Sequence, residues 1–135
     1  LEAYVSATGI KNTIQKLLEK DPRNTLLQTL CKDNIDGFLL DKSYDQGNET
    51  AIKIYHYTGE KLGQGLALVA NLLSPEAFIF YGGFSNAGER IFASARKLMK
   101  HNLINSSGKD IKLIQSGLAK GQAGILGAAS LIWTK

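Results

Sequence analysis

Two short apolar runs in the second half of the chain flank a segment with helical periodicity. The runs cover residues 77–81 and 111–114, and the segment between them starts at Ser85-Asn86, which we expect to act as its N-cap, and ends near His101. A strand, a helix and a second strand in this order join parallel strands by a right-handed crossover, so the pattern predicts an α/β fold with buried strands. Because two parallel strands are marginal by themselves, we expect further strands upstream of Leu1, or a second chain, to complete the sheet.

The first half of the chain contains helical patterns only. We predict one helix over residues 2–20, which Asp21-Pro22 ends, and a second helix over residues 25–30 with Asn24 as its N-cap. A short third helix is predicted to close at Gly47. The chain is therefore expected to be helix-rich, with a small share of strand.

The longest helical pattern begins at the N-cap Asn48 and ends before Ser74-Pro75. Its apolar residues recur at steps dominated by three and four, and they predict this buried face: Ile52, Tyr55, Leu62, Leu66, Val69 and Leu73. Three glycines inside the helix, at positions 59, 63 and 65, each cost about 1 kcal/mol relative to alanine. We expect close packing of the helix backbone against a sheet or helix to compensate; the alternative interpretation is flexibility that serves a ligand.

The last helical pattern is rich in glycine and alanine. It predicts a helix over residues 122–133.

Composition limits the classes of protein to consider. The chain has 135 residues, 44% of them hydrophobic, which predicts a single folded unit over residues 1–135. Its one cysteine, Cys31, cannot form an internal disulfide, and no set of four Cys and His suits a structural zinc, so a cytoplasmic protein is expected. No apolar run approaches the roughly 20 residues of a membrane span, so we expect no membrane association.

The basic residues are distributed along several helical segments. The net charge is +4, and the lysines and arginines are interleaved with acidic residues. They include Lys16, Lys20, Lys53 and Lys61. We interpret this scattered charge as a solvated surface rather than a nucleic-acid-binding stripe.

The turn after the first apolar run is the most informative segment for function. Gly82-Gly83 lies between the end of a predicted strand and the start of a helix, where free backbone N–H groups and the helix dipole favour an anion or a polar ligand edge. Glycine at both positions permits positive φ and lets a ligand lie against bare backbone. Such junctions also serve as simple tight turns, so the pattern alone leaves ligand binding and a structural turn about equally open.

Five segments in matching order resemble the ROK family of sugar kinases and sugar-responsive repressors. They are Leu-Glu-Ala-Tyr-Val-Ser at 1–6, Leu-Gly-x-Gly-Leu-Ala at 62–67, Asn-Leu-Leu-x-Pro-Glu at 71–76, the Gly82-Gly83 turn, and Ala-Gly-Ile-Leu-Gly-Ala-Ala at 123–129. Together they cover essentially the whole chain, and residues 80–88 are similar to the glucokinase branch. The resemblance implies an actin-like, ribonuclease-H-like ATPase of two α/β lobes, with ATP and a hexose between them. This chain would be most of the second lobe, without its opening strands.

The resemblance also implies roles for individual residues. Glu2 matches the family glutamate that hydrogen-bonds sugar hydroxyls; the alternative is a first-turn glutamate that only favours its own helix. The residues matched to the surroundings of the adenosine are Gly82, Gly83, Phe84 and Ser85. Tyr81 stands where many members have a glycine. The small residues of the last helix, which include Gly124 and Gly127, would pack near the hinge between the lobes.

Other features implied by the resemblance belong to a longer parent protein. ATP and Mg²⁺ would be its cofactors and a hexose its substrate, while the catalytic aspartate, the phosphate-binding turns and a zinc-binding His/Cys segment would lie upstream of Leu1. This chain would then carry no catalytic or metal-binding residue and would be inactive alone. An uncovered strand edge and apolar helix faces would favour a homo-oligomer.

Two other functions remain open from the sequence. The same lobe occurs in sugar-sensing transcriptional repressors of the family, and only in that case would nucleic acid be a partner. The chain would otherwise be an inactive module held together by self-association. No set of nucleophile and base with suitable spacing appears, so the sequence gives little support to hydrolytic chemistry. We interpret the remaining isolated candidates as surface, capping or core residues: Cys31, His56, His101 and Trp133.

Overall fold

The computed structural model describes residues 1–32, 37–104, 110–119 and 121–133, without the side chains of Lys32, Phe84 and Trp133. Helices dominate the first half of the chain, and a strand, helix, strand, helix order follows. The elements are α1 (Glu2–Val5), α2 (Ala7–Lys20), α3 (Thr25–Lys32), α4 (Gly37–Asp45), α5 (Glu49–Leu73), β1 (Ala77–Phe80), a 3₁₀ helix (Gly83–Ala87), α6 (Glu89–His101), β2 (Lys112–Gln115) and α7 (Gln122–Trp133). The predicted α/β class is confirmed.

The prediction of one helix over residues 2–20 is wrong, because the chain breaks at Ser6. Ser6 is extended, with φ −90° and ψ 171°, and its Oγ accepts a hydrogen bond of 3.1 Å from the backbone N–H of Gly9. A serine side chain that caps the next helix competes with continuation of the preceding one. Gly9 makes the fold-back possible, since a Cβ there would lie 2.5 Å from the backbone carbonyl carbon of Tyr4.

The bounds of the other early helices follow their local signals. Asn24 Oδ1 accepts a 3.2 Å hydrogen bond from the backbone N–H of Leu27, which confirms it as the N-cap of α3. Gly47 adopts a positive φ of 77° just after α4, as a C-terminal glycine does. Asn48 caps α5 through hydrogen bonds from the N–H groups of Thr50 and Ala51.

Two of the three glycines in α5 allow direct backbone packing against α6. A Cβ at Gly59 would lie 2.6 Å from the carbonyl oxygen of Ile91, and one at Gly63 would lie 2.4 Å from that of Ala95. The expected compensation by close packing is therefore confirmed, and the neighbour is a helix. Gly65 differs, because it faces the side chain of Leu1.

This close approach changes which face of α5 is buried. Tyr55, Leu62 and Leu66 are buried as predicted, but Ile52, Val69 and Leu73 are exposed. The buried face also contains small residues that apolar periodicity does not identify: Ala51, Gly59, Gly63, Ala67 and Ala70. Of these, Gly59 and Gly63 lie directly against the backbone of α6.

The two strands pair in parallel, in the register Ala77 with Lys112 through Phe80 with Gln115. The expectation that they are buried is wrong for one face of the pair. The partners Ile79 and Ile114 are 71% and 41% exposed, while Phe80 packs on Phe92 of α6 with ring centroids 4.8 Å apart. Helices of the described chain cover one face only, so the other face remains open to solvent.

One hydrophobic core extends from α2 to β2 through α3, α4, α5 and α6. Its fully buried large side chains include Ile14, Leu27, Ile54, Ile91 and Met99. Helix α7 contributes none of its described side chains to this core, and its apolar residues are exposed, including Ile125, Leu131 and Ile132. Two small residues of α7, Gly124 and Gly127, have open space beside them, since a Cβ at either would meet nothing within 4 Å.

Candidate functional site

A cavity of about 610 Å³ opens where the two parallel strands end. The carboxyl ends of parallel strands lie at the same edge of a sheet, so the segments after β1 and β2 come together there. Its lining includes Gly82, Gly83, Ser85, Asn86, Gln115 and Ser116. Three of the predicted nucleotide-binding residues thus lie in one cavity, while the side chain of the fourth, Phe84, is outside the described structure.

The two glycines of the turn differ in conformation. Gly82 has φ 110° and ψ 176°, a region open to glycine and costly for other residues, whereas Gly83 is not among the residues with positive φ. The freedom that glycine has to adopt positive φ is therefore used at Gly82 and not at Gly83. An added Cβ would meet nothing within 4 Å at either position, so the turn presents bare backbone to the cavity.

The prediction that Ser85-Asn86 caps the following helix is wrong. Ser85 lies inside the 3₁₀ helix, and its Oγ donates a 2.7 Å hydrogen bond to the carbonyl oxygen of Gly82. Helix α6 begins one turn later at Glu89, after Gly88 with φ 53°. The serine hydroxyl is thus engaged in holding the turn, which the sequence pattern alone did not indicate.

Tyr81 holds one wall of the cavity in place. The sequence resemblance identified this residue only as a replacement for a family glycine. Its hydroxyl donates to the carbonyl oxygen of Ala119 at 3.1 Å and accepts from the backbone N–H of Gly121 at 2.6 Å. These two bonds tie the segment after β2 to the glycine turn. The Tyr81 side chain therefore serves as a brace between the segments that follow the two strands.

Further polar residues of the cavity were not predicted. Gln115 Nε2 donates a 3.2 Å hydrogen bond to Asn86 Oδ1, and Ser116 Oγ accepts from the backbone N–H of Leu118 at 3.2 Å. The signal that would have found Gln115 and Ser116 is their place at the end of the second parallel strand. The cavity wall thus offers amide and hydroxyl groups suited to a polar ligand edge, and its lining residues include no carboxylate.

A charged network anchors the helix that follows the turn. Arg90 donates to the two carboxylate oxygens of Asp45 at 3.0 and 2.6 Å, and it lies 3.7 Å from Asp41, which accepts a short hydrogen bond from Tyr55. The Arg90 guanidinium lowers the pKa of Asp45, whereas burial and then the Asp41 carboxylate raise the pKa of Tyr55. The network fixes α6, and with it the glycine turn, relative to α4 and α5.

Glu2 lies apart from the cavity at the strand ends. It is the first residue of α1, its side chain is exposed, and it is not among the residues that line this cavity. Because α1 contains only four residues, the helix dipole at Glu2 is smaller than the predicted long helix would provide. A second cavity, of about 460 Å³, is lined by both Gly83 and Ala7, and it extends from the glycine turn to the start of α2.

The remaining candidates show no constellation for catalysis or metal binding within the described residues. His56 Nδ1 lies 3.5 Å from Glu60 on the exposed side of α5, His101 is exposed at the end of α6, and Cys31 is half-buried. The described residues contain no group of three or more His, Cys, Asp or Glu that would hold a metal ion. None of the described helices combines the length and the apolar character needed to cross a membrane.

The whole chain matches a known protein family. Residues 1–135 match the ROK family. The glucokinase of Thermotoga maritima is 31% identical over 134 residues, which make up 98% of this chain and 42% of that protein. The chain spans less than half the length of the curated relatives it matches.

Solved structures match the fold as well. The ROK family glucokinase from Streptomyces griseus, in complex with glucose and AMPPNP, matches with a TM-score of 0.77 and 30% identity over 96% of this chain and 43% of that chain. A ROK family transcriptional regulator, a homologue of the E. coli MLC protein, matches with a TM-score of 0.70 and 21% identity over 87% of this chain and 29% of that chain, which shows a shared fold alone.

The architecture is that of a lobe of an actin-like, ribonuclease-H-like ATPase, helix-rich and with a short parallel strand pair. The resemblance carried by the five sequence segments and the match over residues 1–135 agree. This chain belongs to the ROK family.

Proposed function

We propose that this chain forms most of the second lobe of an ATP-dependent hexose kinase of the glucokinase type. The parent protein would transfer the γ-phosphoryl group of ATP to a sugar hydroxyl. The observation that carries the proposal is the cavity at the Gly82-Gly83 turn, in a chain similar to a glucokinase whose crystal structure contains glucose and AMPPNP. Phosphoryl transfer depends mainly on positioning and charge stabilisation, so a lobe that supplies walls of the binding sites is an essential part of the enzyme.

The nucleotide would lie with its adenosine against the glycine turn. Gly82 and Gly83 present backbone without side chains, and Ser85 holds the turn through its bond to the Gly82 carbonyl. By the family resemblance, Phe84 would lie beside the base or ribose. The amide and hydroxyl groups of Asn86, Gln115 and Ser116 add hydrogen-bonding partners at the same edge. The cavity volume lies within the range of about 300–1,000 Å³ typical of small-molecule sites.

The hexose would be bound through Glu2. Its exposed carboxylate is able to accept hydrogen bonds from two sugar hydroxyls, and charged acceptors make stronger bonds than neutral ones. The cavity that reaches from Gly83 to Ala7 supports a continuous cleft between the nucleotide and the start of α2. Glu2 would then contribute to sugar affinity rather than to nucleotide affinity.

Magnesium is implied by the family resemblance, but the described residues do not fit a site for it. The residues that line the cavity at the strand ends include no Asp or Glu, and the described chain has no cluster of three metal-ligating side chains. Mg²⁺ prefers carboxylate and phosphate oxygens in octahedral geometry. We therefore assign no step of the reaction to a metal held by this chain.

Replacement of Glu2 by glutamine tests the proposal in a longer protein that carries both lobes. Glu2→Gln keeps the size of the side chain and removes its charge, so the KM for glucose is expected to rise at least about tenfold, with the KM for ATP changed less than about twofold. Glu76→Gln provides a matched control, because it removes an exposed carboxylate that lines neither of the cavities at the glycine turn. An unchanged glucose KM would reject the role of Glu2.

The second candidate function is the sugar-binding lobe of a transcriptional repressor. The observation in its favour is the structural match to the transcriptional regulator. The repressor is expected to bind a sugar without turnover of ATP and to release operator DNA when the sugar binds. An assay of glucose-dependent ADP formation by the longer protein separates the two functions.

We also propose that the isolated chain self-associates. Ile79 and Ile114 on the open face of the strand pair, and Leu131 and Ile132 of α7, expose apolar surface that another molecule would cover. Light scattering at rising protein concentration is expected to give a mass above that of one chain. A constant monomer mass at high concentration would show that this surface does not drive association.

A further inference from the structure

A groove of about 510 Å³ lies between α1, α2 and the first half of α5. Helix α1 contributes Tyr4, α2 contributes Lys16 and Lys20, and α5 contributes Lys53 and Tyr57. None of these residues lines the two cavities that meet the glycine turn. The groove is thus a separate site with the volume of a small-molecule pocket, for which about 300–1,000 Å³ is typical.

The helices bring together lysines that are scattered in the sequence. Lys16 and Lys20 are four residues apart on α2 and share a face with Gly9 and Thr13, which also line the groove. Lys53 lines the same groove from α5. The lining residues include three lysines and no carboxylate, so we expect a positive potential at the groove.

Glu49, which pairs with Lys53, does not neutralise the groove. Glu49 Oε2 lies 3.7 Å from the Lys53 Nζ, and both side chains are mostly exposed, at 87% and 71%. An exposed ion pair within one helix contributes little to stability, and its two side chains separate easily. Lys53 therefore remains available to an anionic ligand with stronger charge.

Two tyrosines give the groove an aromatic wall. The rings of Tyr4 and Tyr57 meet edge to face with centroids 6.5 Å apart, and Lys61 Nζ lies 5.7 and 5.4 Å from their centroids. A cation over both rings restrains them and adds a fourth positive charge beside the groove. Ammonium groups next to an aromatic surface suit a ligand with both an anionic and an organic part.

We propose that this groove binds a small phosphorylated molecule. The ammonium groups of Lys16, Lys20 and Lys53 contact the phosphate, for which lysine acts as a mobile point charge. The rings of Tyr4 and Tyr57 cover the organic part of the ligand. The volume of about 510 Å³ suits a small molecule. The groove shares no residue with the cavities at the glycine turn, and Glu2 is not among its lining residues, so the proposal does not rest on the proposed kinase function.

Calorimetry of the 135-residue chain at low ionic strength tests this assignment with inorganic pyrophosphate and glucose 6-phosphate as probes. Each is expected to bind, and the double variant Lys16→Gln/Lys20→Gln is expected to bind at least about tenfold more weakly. The matched control Lys97→Gln/Lys112→Gln removes the same charge from exposed positions outside the groove and is expected to change affinity less than about twofold. Circular dichroism confirms that each variant is folded, since all four lysines are exposed.

The two probes also distinguish the sources of affinity. Tyr57→Leu is expected to weaken glucose 6-phosphate and to leave pyrophosphate unchanged, because only the sugar phosphate has an organic part for the ring to cover. The assignment is overturned if neither probe binds the unmodified chain, or if the control weakens binding as much as the groove variant. It is also overturned if a thymidine oligonucleotide binds more tightly than both probes and is lost in the groove variant, since the groove would then serve a polynucleotide.

Discussion

Gly63 lies directly against the backbone of Ala95, and a Cβ on Gly63 would be only 2.4 Å from the Ala95 carbonyl oxygen. The atom that it would meet belongs to the backbone of α6, which cannot rotate away as a side chain does. Gly59 makes the same kind of approach to Ile91 one turn earlier. Helices α5 and α6 are thereby held at a distance that no larger residue permits, and the 3₁₀ helix that follows the glycine turn leads directly into α6.

Gly63→Ala is therefore expected to destabilise the chain by about 1–3 kcal/mol, because the two helices must move apart. The control Gly124→Ala places the same methyl group in open space on α7, where it should be neutral or stabilising by up to about 1 kcal/mol. Urea denaturation followed by circular dichroism measures both changes. Equal effects of the two substitutions would contradict the close contact between α5 and α6.

The two glycines of the turn should respond differently to substitution. Gly82→Ala is expected to lower the free energy of unfolding by about 1–3 kcal/mol, because φ 110° is costly for any residue with a side chain. Gly83→Val lacks this strain and meets open space, so its free energy of unfolding should change by less than about 0.5 kcal/mol.

The same Gly83→Val variant tests the nucleotide site in a longer protein that carries both lobes. Since the fold tolerates the side chain, weaker ATP binding by calorimetry would come from the blocked approach of the adenosine. Glucose affinity serves as the internal control and should stay within about twofold. Parental ATP affinity in the folded variant would show that the turn is structural only.

Tyr55 links stability to alkaline pH. Burial first, and then the Asp41 carboxylate, raise the pKa of Tyr55 above its ordinary value of 10.0 in the folded chain. Below pH 10 the folded and unfolded states both keep the proton, and the full contribution to stability is present. Above pH 10 the unfolded chain loses its proton first, so the free energy of unfolding falls as pH rises toward the pKa of the folded state.

Tyr55→Phe is expected to remove this part of the pH dependence. The variant should be less stable near pH 7, by about 1 kcal/mol, because Asp41 loses a buried hydrogen-bond donor. Above pH 10 its stability should decline less steeply than that of the unmodified chain. Urea titrations at pH 7 to 11 measure both effects, and parallel curves for the two proteins would count against the raised pKa.

The isolated chain is expected to show no glucose-dependent turnover of ATP. The described residues contain no cluster able to hold a metal, and the cavity at the strand ends has no carboxylate to act as a base. A coupled assay of ADP release measures turnover, with the longer protein as the positive control. Turnover by the purified chain at a rate comparable to that of the longer protein would refute this expectation.

Local signals predicted several helix ends correctly, although the cap at Ser6, which Gly9 completes three residues later, was missed. Asn24 and Asn48 cap the helices that the sequence assigns to them, and Gly47 closes α4, because each interaction spans no more than a few residues. The capping prediction was wrong at Ser85, because its hydroxyl donates to the carbonyl oxygen of Gly82 and does not cap α6.

The candidate nucleotide site was predicted in part. The glycines of the turn were evident from the strand, glycine, helix pattern, and the resemblance matched them to the family. Gln115 and Ser116 were missed, since they reach the cavity only through the pairing of β2 with β1. The brace formed by Tyr81 depends on contacts with Ala119 and Gly121, which belong to the segment after the second strand.

The sequence by itself determined the α/β class, the family and most helix bounds, because these follow from periodicity, from capping within a few residues and from the order of short segments. Tertiary structure alone decided which face of α5 is buried and which charges lie together. Lys16 and Lys53 belong to separate helices and are scattered charges along the chain, yet they line one groove. Their juxtaposition depends on how α2 packs against α5, and packing is set by the shapes of both helices rather than by the order of residues within either one.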